Sequence, residues 1–516
     1  MNDARTPAVG IDLGTTFSAI AHLDTSGRPV TLTNAEGDLV TPSVVLFDDG
    51  QIVVGKEAIK AIGTDAALVA QCAKREVGER LFSKMLGGRK YPPEAIEALV
   101  LYKLRLDAER HLGPFTKVVI TVPAYFDETR RKATQDAGYM AGLEVMDIIN
   151  EPTAAAIAHG AMKGFAGQTS GRPAGPMKML VYDLGGGTFD VTVMEVDGSE
   201  FQTLATDGDV RLGGQDWDQR LVDYVAEEFI RKHGHDPREE PNTAGRLWRD
   251  CEDAKRTLSA RMKASISCDY KGQAVRLEIT REQFDELTQD LLDRTQFTVR
   301  QTLMAAGLRW QDIENILLVG GSTRMPMVSN MLKTLSGKEP DASVAVDEAV
   351  AHGAALHAGM LLARERGEAP SLQIRNVNSH SLGVVANDVT TGRTRNAILI
   401  PRNTPLPVTA KRVFRTQKQG QRSILVKIVE GESASPEDCA QVGKCSVRAL
   451  PRNLPAKTPI DVQFRYQDNG RLNVKVTVSG TDNELDHEIA RPNSLTQEQL
   501  DAWRGFVTGK ADAKGA

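Results

Sequence analysis

The sequence predicts an α/β body of about 370 residues, followed by a separate antiparallel β domain and one short C-terminal helix. Apolar strands alternate with helical periods up to about residue 368, an order typical of α/β folds. The periods predict helices over residues 93–112, 221–232 and 246–258. Capping boxes, Thr280 with Gln283 and Thr496 with Gln499, predict two further helix starts, and Asn469-Gly470 predicts a hairpin turn. Beyond residue 368, apolar and polar residues alternate along short segments, as they do in half-buried strands. We therefore divide the chain into residues 1–369, a linker at 370–378, a β domain at 379–492, and a helix with a disordered tail at 493–516.

Composition and charge exclude several classes of protein. The 516 residues are 41% hydrophobic and 25% charged, which is ordinary for a globular protein. The net charge of −5 gives no overall basic field for nucleic acid. No stretch approaches the ~18 apolar residues of a membrane span, and no signal core opens the chain. Five cysteines without a CxxC spacing suggest reduced thiols. We expect a cytoplasmic protein that binds neither membrane nor nucleic acid.

A glycine-rich hairpin at residues 181–193 is the first functional signal. An apolar strand ends at Asp183, three glycines and Thr188 follow, and a second strand begins at Phe189-Asp190. Glycine accepts a positive φ at low cost, so we expect a tight turn there. Its bare N–H groups suit phosphate oxygens. The two acids would repel phosphate, which indicates that a hard cation such as Mg²⁺ lies between them and the phosphates.

The same pattern occurs earlier in the chain, at residues 9–18. There an apolar strand leads into Asp12-Leu13-Gly14, and the hydroxyls of Thr15 and Thr16 follow. The repetition favours two related halves, each presenting a phosphate-binding hairpin to a shared cleft. Two unrelated hairpin turns are the alternative, and the shared Asp-Leu-Gly core argues against it.

These hairpins, together with several longer motifs, resemble the heat-shock protein 70 family of DnaK-type chaperones. The resemblance extends from Gly10 to about Val507 and includes residues 11–16, 122–126, 150–156, 183–190, 318–324 and 347–350. It implies an actin-like, ribonuclease H-like, two-lobed ATPase domain, an apolar linker, a β-sandwich that grips extended peptides, and a helical lid. The implied function is an ATP-dependent chaperone for apolar segments of unfolded proteins, in which ATP binding and hydrolysis modulate peptide affinity.

The resemblance also implies roles for individual residues. Lys74, Glu151, Asp183 and Thr188 would carry ATP hydrolysis, a reaction that needs positioning and charge neutralisation more than covalent chemistry. Mg²⁺, and potassium as a second candidate ion, would be surrounded by Asp12, Asp183 and Asp190. ATP or ADP would be held by Gly14, Thr15, Thr16, Phe17, Gly185, Gly186, Gly187, Glu252, Lys255, Arg256, Ser259, Gly320, Gly321, Ser322, Arg324 and Asp347.

For several of these residues, the sequence alone supports a plainer interpretation. Lys74 by itself would be taken as a surface lysine, and the run from Glu252 to Ser259 as a solvated helix face. In the β domain, the resemblance implies a peptide pocket, although periodicity cannot separate a pocket from sandwich core. The implied pocket residues are Val384, Phe414, Ile424 and Val426.

The resemblance also implies a relay between the nucleotide and the linker, which would use Pro123 and Arg131.

The chain departs from the family pattern in its lid and its linker. Only about residues 496–507 remain of the lid, and the segment between Lys74 and Val122 is shortened. The linker, usually a leucine run ending in aspartate, has polar residues at 373, 375 and 376, and Asn387 and Gln417 replace the residues that arch over the peptide. We therefore expect fast peptide release and a linker that docks poorly on the ATPase domain.

The implied partners are unfolded clients, a J-domain co-chaperone and a nucleotide-exchange factor. The family's J-domain contact uses an arginine and the linker aspartate, where this chain has Asp147 and Asn376. We expect poor stimulation by ordinary J-domains, or a dedicated partner of altered charge. A basic residue such as Arg131 taking the contact is the alternative. Two other functions stay open: a binding scaffold with a slow or decayed ATPase, and an actin-fold kinase for a small acceptor.

Overall fold

The structure is a computed structural model that describes residues 6–48, 50–163, 175–369, 372–388, 392–467, 472–481, 484–488 and 494–510. The first half of the α/β body contains, within these residues, β1 (Val9–Asp12), β2 (Phe17–Leu23), β3 (Pro29–Thr31), β4 (Thr41–Pro42), β5 (Val44–Asp48), β6 (Gln51–Val54), α1 (Lys56–Lys60), β7 (Val69–Gln71), α2 (Pro93–Leu112), β8 (Lys117–Val122), α3 (Glu128–Met140), β9 (Glu144–Asn150) and α4 (Glu151–Met162).

The second half of the body repeats this mixture of strands and helices. It contains β10 (Met177–Leu184), β11 (Phe189–Asp197), β12 (Glu200–Asp209), α5 (Gly214–His233), α6 (Pro241–Ala260), β13 (Lys263–Tyr270), β14 (Gln273–Thr280), α7 (Arg281–Ala305), β15 (Asn315–Val319), α8 (Pro326–Ser336) and α9 (Ala349–Glu365).

The main sheets of the two halves share one arrangement. In the first sheet, of order β3-β2-β1-β8-β9, β1 forms an antiparallel hairpin with β2 and pairs in parallel with β8. In the second half, β10 likewise forms a hairpin with β11 and pairs in parallel with β15. The expectation of two related halves, each beginning with a hairpin, is met by these pairings.

Helix boundaries follow local chemistry where the sequence supplies a clear start. The structure has α2 at the predicted residues 93–112, opened by Pro92 and Pro93. The predicted capping box of Thr280 and Gln283 opens α7. Helices α5 and α6 begin earlier than the apolar period suggested, at Gly214 and Pro241. None of the described helices is long and apolar enough to cross a lipid bilayer.

The C-terminal part is built from two four-stranded antiparallel sheets that share one apolar core, here called the β-sandwich. The elements are β17 (Leu382–Asn387), β18 (Thr394–Ile400), β19 (Val408–Arg415), β20 (Ile424–Glu430), β21 (Ala440–Val447), β22 (Pro459–Tyr466), β23 (Leu472–Val478), β24 (Glu484–Glu488) and α10 (Gln497–Val507). The strand orders of the two sheets are β18-β17-β20-β21 and β19-β22-β23-β24. The predicted turn at Asn469-Gly470 and the tail beyond residue 510 lie outside the described residues.

The linker is docked, contrary to the expectation from its polar composition. Its short strand β16 (Gln373–Arg375) pairs in parallel with β12 and extends the second sheet. Leu372 is buried in the apolar core beneath, and Ile374 packs against that core. Gln373 and Arg375 are exposed, so the polar residues fall on the outward positions of an alternating strand.

Direct contacts also hold the β-sandwich against the α/β body. The Arg402 guanidinium lies 2.7 Å from the Asp207 carboxylate, and the Thr206 backbone N–H donates to Asn403 over 3.0 Å. The Tyr466 hydroxyl donates to the buried Glu128 carboxylate over 2.7 Å. The two parts of the chain therefore share a polar interface in this structure.

Candidate functional site

The two hairpin turns meet at one end of a cleft between the halves. A Cβ atom added to Gly186 would lie 2.5 Å from the Thr16 side chain, and one added to Gly187 would lie 2.4 Å from Thr15. Neither of these glycines, nor Gly185, has a positive φ. The predicted positive φ was therefore wrong: Gly186 and Gly187 are required because the two turns approach each other too closely there for side chains.

Four carboxylates gather beside these turns. Asp183 and Asp190 are opposite each other in the β10–β11 ladder, Asp12 ends β1, and Glu151 begins α4. Burial, followed by the charge of Glu151, raises the pKa of Asp12 and that of Asp190 to about 7. The same causes hold the pKa of Asp183 well above its usual range. The cluster carries more negative charge than its surroundings neutralise, so it fits a cation.

Lys74 is the cation that the cluster contains. Its Nζ lies 2.5 Å from Glu151 Oε1, and both side chains are buried. Burial alone would lower the pKa of Lys74, but the charges of Glu151 and Asp12 outweigh it and raise that pKa. The ammonium is therefore held protonated at the point where the two hairpins meet.

A magnesium ion would fit beside this lysine without being enclosed by protein ligands. In the described part of the chain, no three acidic, histidine or cysteine side chains are close enough to ligate one ion together. The carboxylates of Asp12, Asp183 and Asp190 remain available to an ion that keeps several waters, as Mg²⁺ prefers.

The cleft continues into a cavity of about 560 Å³, which accounts for nearly all of the predicted nucleotide residues. Its wall is formed by α6 and by the turn at residues 320–324. Lys255 Nζ is fixed between Asp218, at 2.8 Å, and the Gly214 carbonyl, at 2.9 Å. Predicted residues that line the cavity are Gly14, Thr15, Thr16, Phe17, Gly185, Gly186, Thr188, Glu252, Lys255, Arg256, Ser259, Gly320, Gly321, Ser322, Arg324 and Asp347.

Charged pairs shape the far end of this cavity. Arg324 and Asp347 form a bidentate ion pair, with 3.1 Å between Nη1 and Oδ1 and 2.6 Å between Nη2 and Oδ2. The Arg256 guanidinium lies over the Phe17 ring, 5.5 Å from its centroid. Both residues line the cavity. The helix face that composition alone would call solvated is therefore part of the cavity wall.

The predicted relay residues connect the carboxylates to the β-sandwich. Asp190 accepts hydrogen bonds from the backbone N–H groups of Ala124 and Tyr125, at 3.1 and 3.0 Å, directly after Pro123. Arg131 donates to the Phe126 carbonyl over 3.2 Å and to the side chain of Asn150, next to Glu151. The Tyr125 ring stacks 4.2 Å from the His380 ring of the β domain.

The predicted peptide pocket lies among the residues of the sandwich core. Val384, Ile424 and Val426 belong to the core cluster and are each less than 7% exposed. Phe414 packs against this cluster from β19 and is partly exposed. The structure brings the four residues together in one apolar cluster.

Comparison with known proteins identifies the family. The family model described as Hsp70 protein matches residues 8–86 and 82–508. The chain is 38% identical over 509 residues to the chaperone protein DnaK of Thermotoga neapolitana, covering 97% of this chain and 83% of the relative. The DnaK proteins of Thermotoga petrophila and Thermotoga maritima show the same identity and coverage. The chain belongs to the Hsp70 family.

Membership in the Hsp70 family establishes the activity of the protein. Hsp70 proteins are ATP-dependent molecular chaperones that hydrolyse ATP and use ATP or ADP with Mg²⁺. This Hsp70 is therefore an ATP hydrolase and a molecular chaperone. The meeting hairpins, the carboxylate cluster and the cavity of about 560 Å³ are the candidate site for this activity.

Sequence reasoning missed two residues that hold Lys74 in this Hsp70. Arg75 donates to the Gly187 carbonyl over 2.8 Å and pairs with Asp216 at 2.5 Å, so it joins the lysine turn to the second hairpin. Glu97 is buried on α2, where its carboxylate accepts the backbone N–H of Lys74. The sequence signal for Glu97 was a glutamate on a face of α2 that is otherwise apolar.

Proposed function

We propose that this Hsp70 has an actin-like, two-lobed ATPase domain at residues 1–369 that acts, through the linker at 370–378, on a peptide-binding β-sandwich at 379–492. The support is the matching arrangement of the two main sheets and the position of the linker strand on the second one. The nucleotide would lie between the lobes, where the two hairpins meet. A closed turn on each side would then clamp the phosphates.

The proposal for catalysis rests on the ion pair between Lys74 and Glu151. On ATP binding, the contact between Lys74 and Glu151 would weaken. The Lys74 Nζ would then hold the γ-phosphate and the attacking water. Glu151 and Asp183 would orient that water, and the Thr188 hydroxyl would contact the phosphate. Mg²⁺, surrounded by Asp12, Asp183 and Asp190, would neutralise charge that develops on the phosphate oxygens. A potassium ion would bind near the same carboxylates.

Single-turnover ATP hydrolysis tests these roles. Lys74→Ala and Asp183→Asn should keep the fold and slow the chemical step at least about tenfold, which corresponds to ~1.4 kcal/mol of barrier. A matched control is Lys60→Ala, which removes an exposed lysine of α1 that pairs with its helical neighbour Glu57. Unchanged rates in both site variants would contradict the assignment.

The β-sandwich would bind extended apolar peptide by backbone pairing, with a side chain directed to the cluster of Val384, Phe414, Ile424 and Val426. Because α10 packs against the α/β body and not over the sandwich, bound peptide should dissociate quickly in the ADP state. Hydrolysis stimulated by an unfolded peptide separates this function from a scaffold with a decayed ATPase. Phe414→Ala should weaken that stimulation, whereas Leu425→Ala, at an exposed position of β20, should not.

Coupling between the domains would pass through the contacts that begin at Asp190. A change of charge at this carboxylate would be transmitted by Ala124 and Tyr125 to His380, while Arg131 holds the intervening loop. The partners would be unfolded clients, a nucleotide-exchange factor and a J-domain protein suited to the surface at Asp147. The five free cysteines are consistent with a reducing compartment such as the cytoplasm.

A further inference from the structure

The β-sandwich carries an unbalanced positive charge, although the whole chain has a net charge of −5. Between Asp388 and Glu430 lie 41 residues that include nine lysines and arginines and no acid. Between Asp438 and Asp461 lie 22 residues with four more basic side chains, again without an acid. Two runs of one sign within one domain produce a local positive field in a protein that is acidic overall.

The two runs meet at one end of the sandwich, where two loops contact each other. The loop between β19 and β20 and the loop between β21 and β22 are joined by backbone hydrogen bonds. The Gly420 N–H donates to the Leu454 carbonyl over 2.8 Å, and the Lys457 N–H donates to the Thr416 carbonyl over 3.0 Å. Charges from both runs therefore lie on one surface. Its exposed basic side chains, here called the basic rim, are Arg415, Lys418, Arg422, Arg452 and Lys457.

The charge of the basic rim is not neutralised by the described part of the chain. Among the described residues, no carboxylate forms an ion pair with any residue of the rim. Two of the acids that bound the runs already have basic partners: Asp388 lies 3.1 Å from Arg395, and Asp461 lies 3.0 Å from Lys411. The cations of the rim are therefore available to an anionic partner.

The basic rim borders the apolar cluster to which a peptide side chain is proposed to bind. Phe414 directly precedes the rim on β19, and β20 begins with Ile424 directly after it. The Arg412 guanidinium lies 6.0 Å from the centroid of the Phe414 ring and donates to the Ile398 carbonyl over 3.0 Å. An apolar pocket bordered by cations is complementary to an extended peptide with an apolar centre and acidic neighbours.

We propose that the β-sandwich selects polypeptide segments in which apolar residues are flanked by aspartate or glutamate. The inference rests on the proposed peptide-binding function and adds a class of substrate to it. The rim attracts acidic flanks and repels basic ones, so charge discriminates between segments with the same apolar centre. Single-stranded nucleic acid fits less well, because its binding sites stack bases on aromatic side chains, and the two runs together contain one aromatic residue, Phe414.

Binding of three fluorescent peptides to the full-length protein with ADP tests this selectivity. The peptides share the core Leu-Val-Leu-Leu and carry a pair of aspartates, serines or lysines on each side. In anisotropy titrations at low salt, we expect the aspartate-flanked peptide to bind at least about tenfold more tightly than the lysine-flanked one, with the serine-flanked peptide between them. The ratio should shrink to about twofold at high salt, because salt screens exposed charges.

Charge reversals on the two loops locate the effect. Lys418→Glu and Arg452→Glu, one on each loop, should each lower the preference for aspartate over lysine flanks by at least about threefold. The serine-flanked peptide reports in the same variants whether the apolar pocket is intact. The matched control is Lys475→Glu on β23, where the lysine pairs with Glu484 at 2.6 Å, and it should keep the wild-type preference.

The outcomes separate this inference from the proposed function on which it rests. Equal affinity for the three peptides would overturn the charge selectivity and leave the peptide-binding function standing. Failure to bind any of them would refute the peptide-binding function and the selectivity with it. Displacement of the aspartate-flanked peptide by a single-stranded DNA oligonucleotide, at a lower concentration than the unlabelled peptide requires, would overturn the inference by assigning the rim to nucleic acid.

Discussion

Four carboxylates around one lysine make the nucleotide-free cleft sensitive to pH. Burial, then Glu151, raises the pKa of Asp12 and Asp190 to about 7 from an ordinary value of 3.8. The folded protein therefore binds these protons more tightly than the unfolded chain does. Their contribution to stability is complete below about pH 4 and is lost as the pH rises through 7. We expect the nucleotide-free protein to gain stability from Asp12→Asn at pH 8, but little at pH 4.5.

Thermal unfolding of the two proteins at both pH values checks this expectation. The comparison with Asp12→Asn is needed because other groups titrate in the same range, including Glu97, whose pKa is raised by burial to about 7. Saturating Mg²⁺ and ADP should remove most of the difference, since the cation neutralises the cluster. Equal melting temperatures of the variant and wild type at pH 8 without nucleotide would contradict the assigned charge excess.

Arg75 connects the lysine turn to the second glycine-rich hairpin, and we expect its loss to weaken nucleotide binding. Hydrogen bonds to a charged group are worth about 1.5–3 kcal/mol, and Arg75 makes them to the Gly187 carbonyl and to Asp216. We expect Arg75→Ala to raise the Kd for ADP about tenfold in an equilibrium titration. Arg80→Ala, an exposed arginine of the same segment, is the matched control and should bind normally. Equal affinity in both variants would show that Arg75 does not position the hairpin.

At the scale of elements, the linker strand depends on one buried side chain. Leu372 is 4% exposed beneath β16, whereas Gln373 is exposed. Truncating a buried leucine to alanine typically costs 2–5 kcal/mol. Leu372→Ala should therefore increase protease cleavage of residues 372–378 at least about tenfold with ADP bound. Gln373→Ala should be cleaved like the wild type, and similar rates for both variants would mean that β16 is not held by this contact.

How far the sequence could predict these elements depended on whether the signal was local. The proline pair before α2 and the capping boxes of α7 and α10 mark helix starts through their own side chains, and the structure has them there. The starts of α5 and α6 were missed because Gly213 and Glu240 open them without an apolar period. The position of α10 could not be predicted, because an amphipathic helix shows that it packs but not against what.

The same distinction holds in the nucleotide cleft. The repeated Asp-Leu-Gly pattern was sufficient to predict two facing hairpins, since each is a local strand–turn–strand unit. The reason for the glycines was not predictable, because the clash of Gly186 with Thr16 involves residues 170 positions apart. The contact of Glu97 with the Lys74 backbone was likewise hidden, because the Lys74 turn lies outside α2 in sequence.

For the whole molecule, buried polar contacts between the two domains set the cost of separating them. The Tyr466 hydroxyl donates to Glu128, and the Glu128 backbone N–H in turn donates to Glu430 over 3.3 Å. Groups of this kind are costly to leave without partners in an apolar environment. If the two domains separate, these groups lose their protein partners but bind water instead. The interface therefore favours the docked arrangement and still allows it to open.

We expect Asp147 to govern the response to a J-domain. The family resemblance puts this aspartate where other members have an arginine, and its carboxylate lies 2.7 Å from His357 Nε2. Arg131 cannot substitute, because its guanidinium is already bonded to Ala124, Phe126 and Asn150. An aspartate on the incoming loop would therefore meet an acid or an acid–histidine pair where it requires a cation.

We expect an ordinary J-domain protein to stimulate this ATPase poorly. Two unit charges 4 Å apart interact by up to ~4 kcal/mol at an effective dielectric of 20, and solvent and salt reduce this further. Even about 1 kcal/mol of repulsion lowers affinity roughly fivefold. Asp147→Arg combined with Asn376→Asp should restore stimulation in a steady-state ATPase assay, whereas Asp197→Arg, on β11, should not. Strong stimulation of the unmodified protein by an ordinary J-domain would show that the contact has moved to other residues.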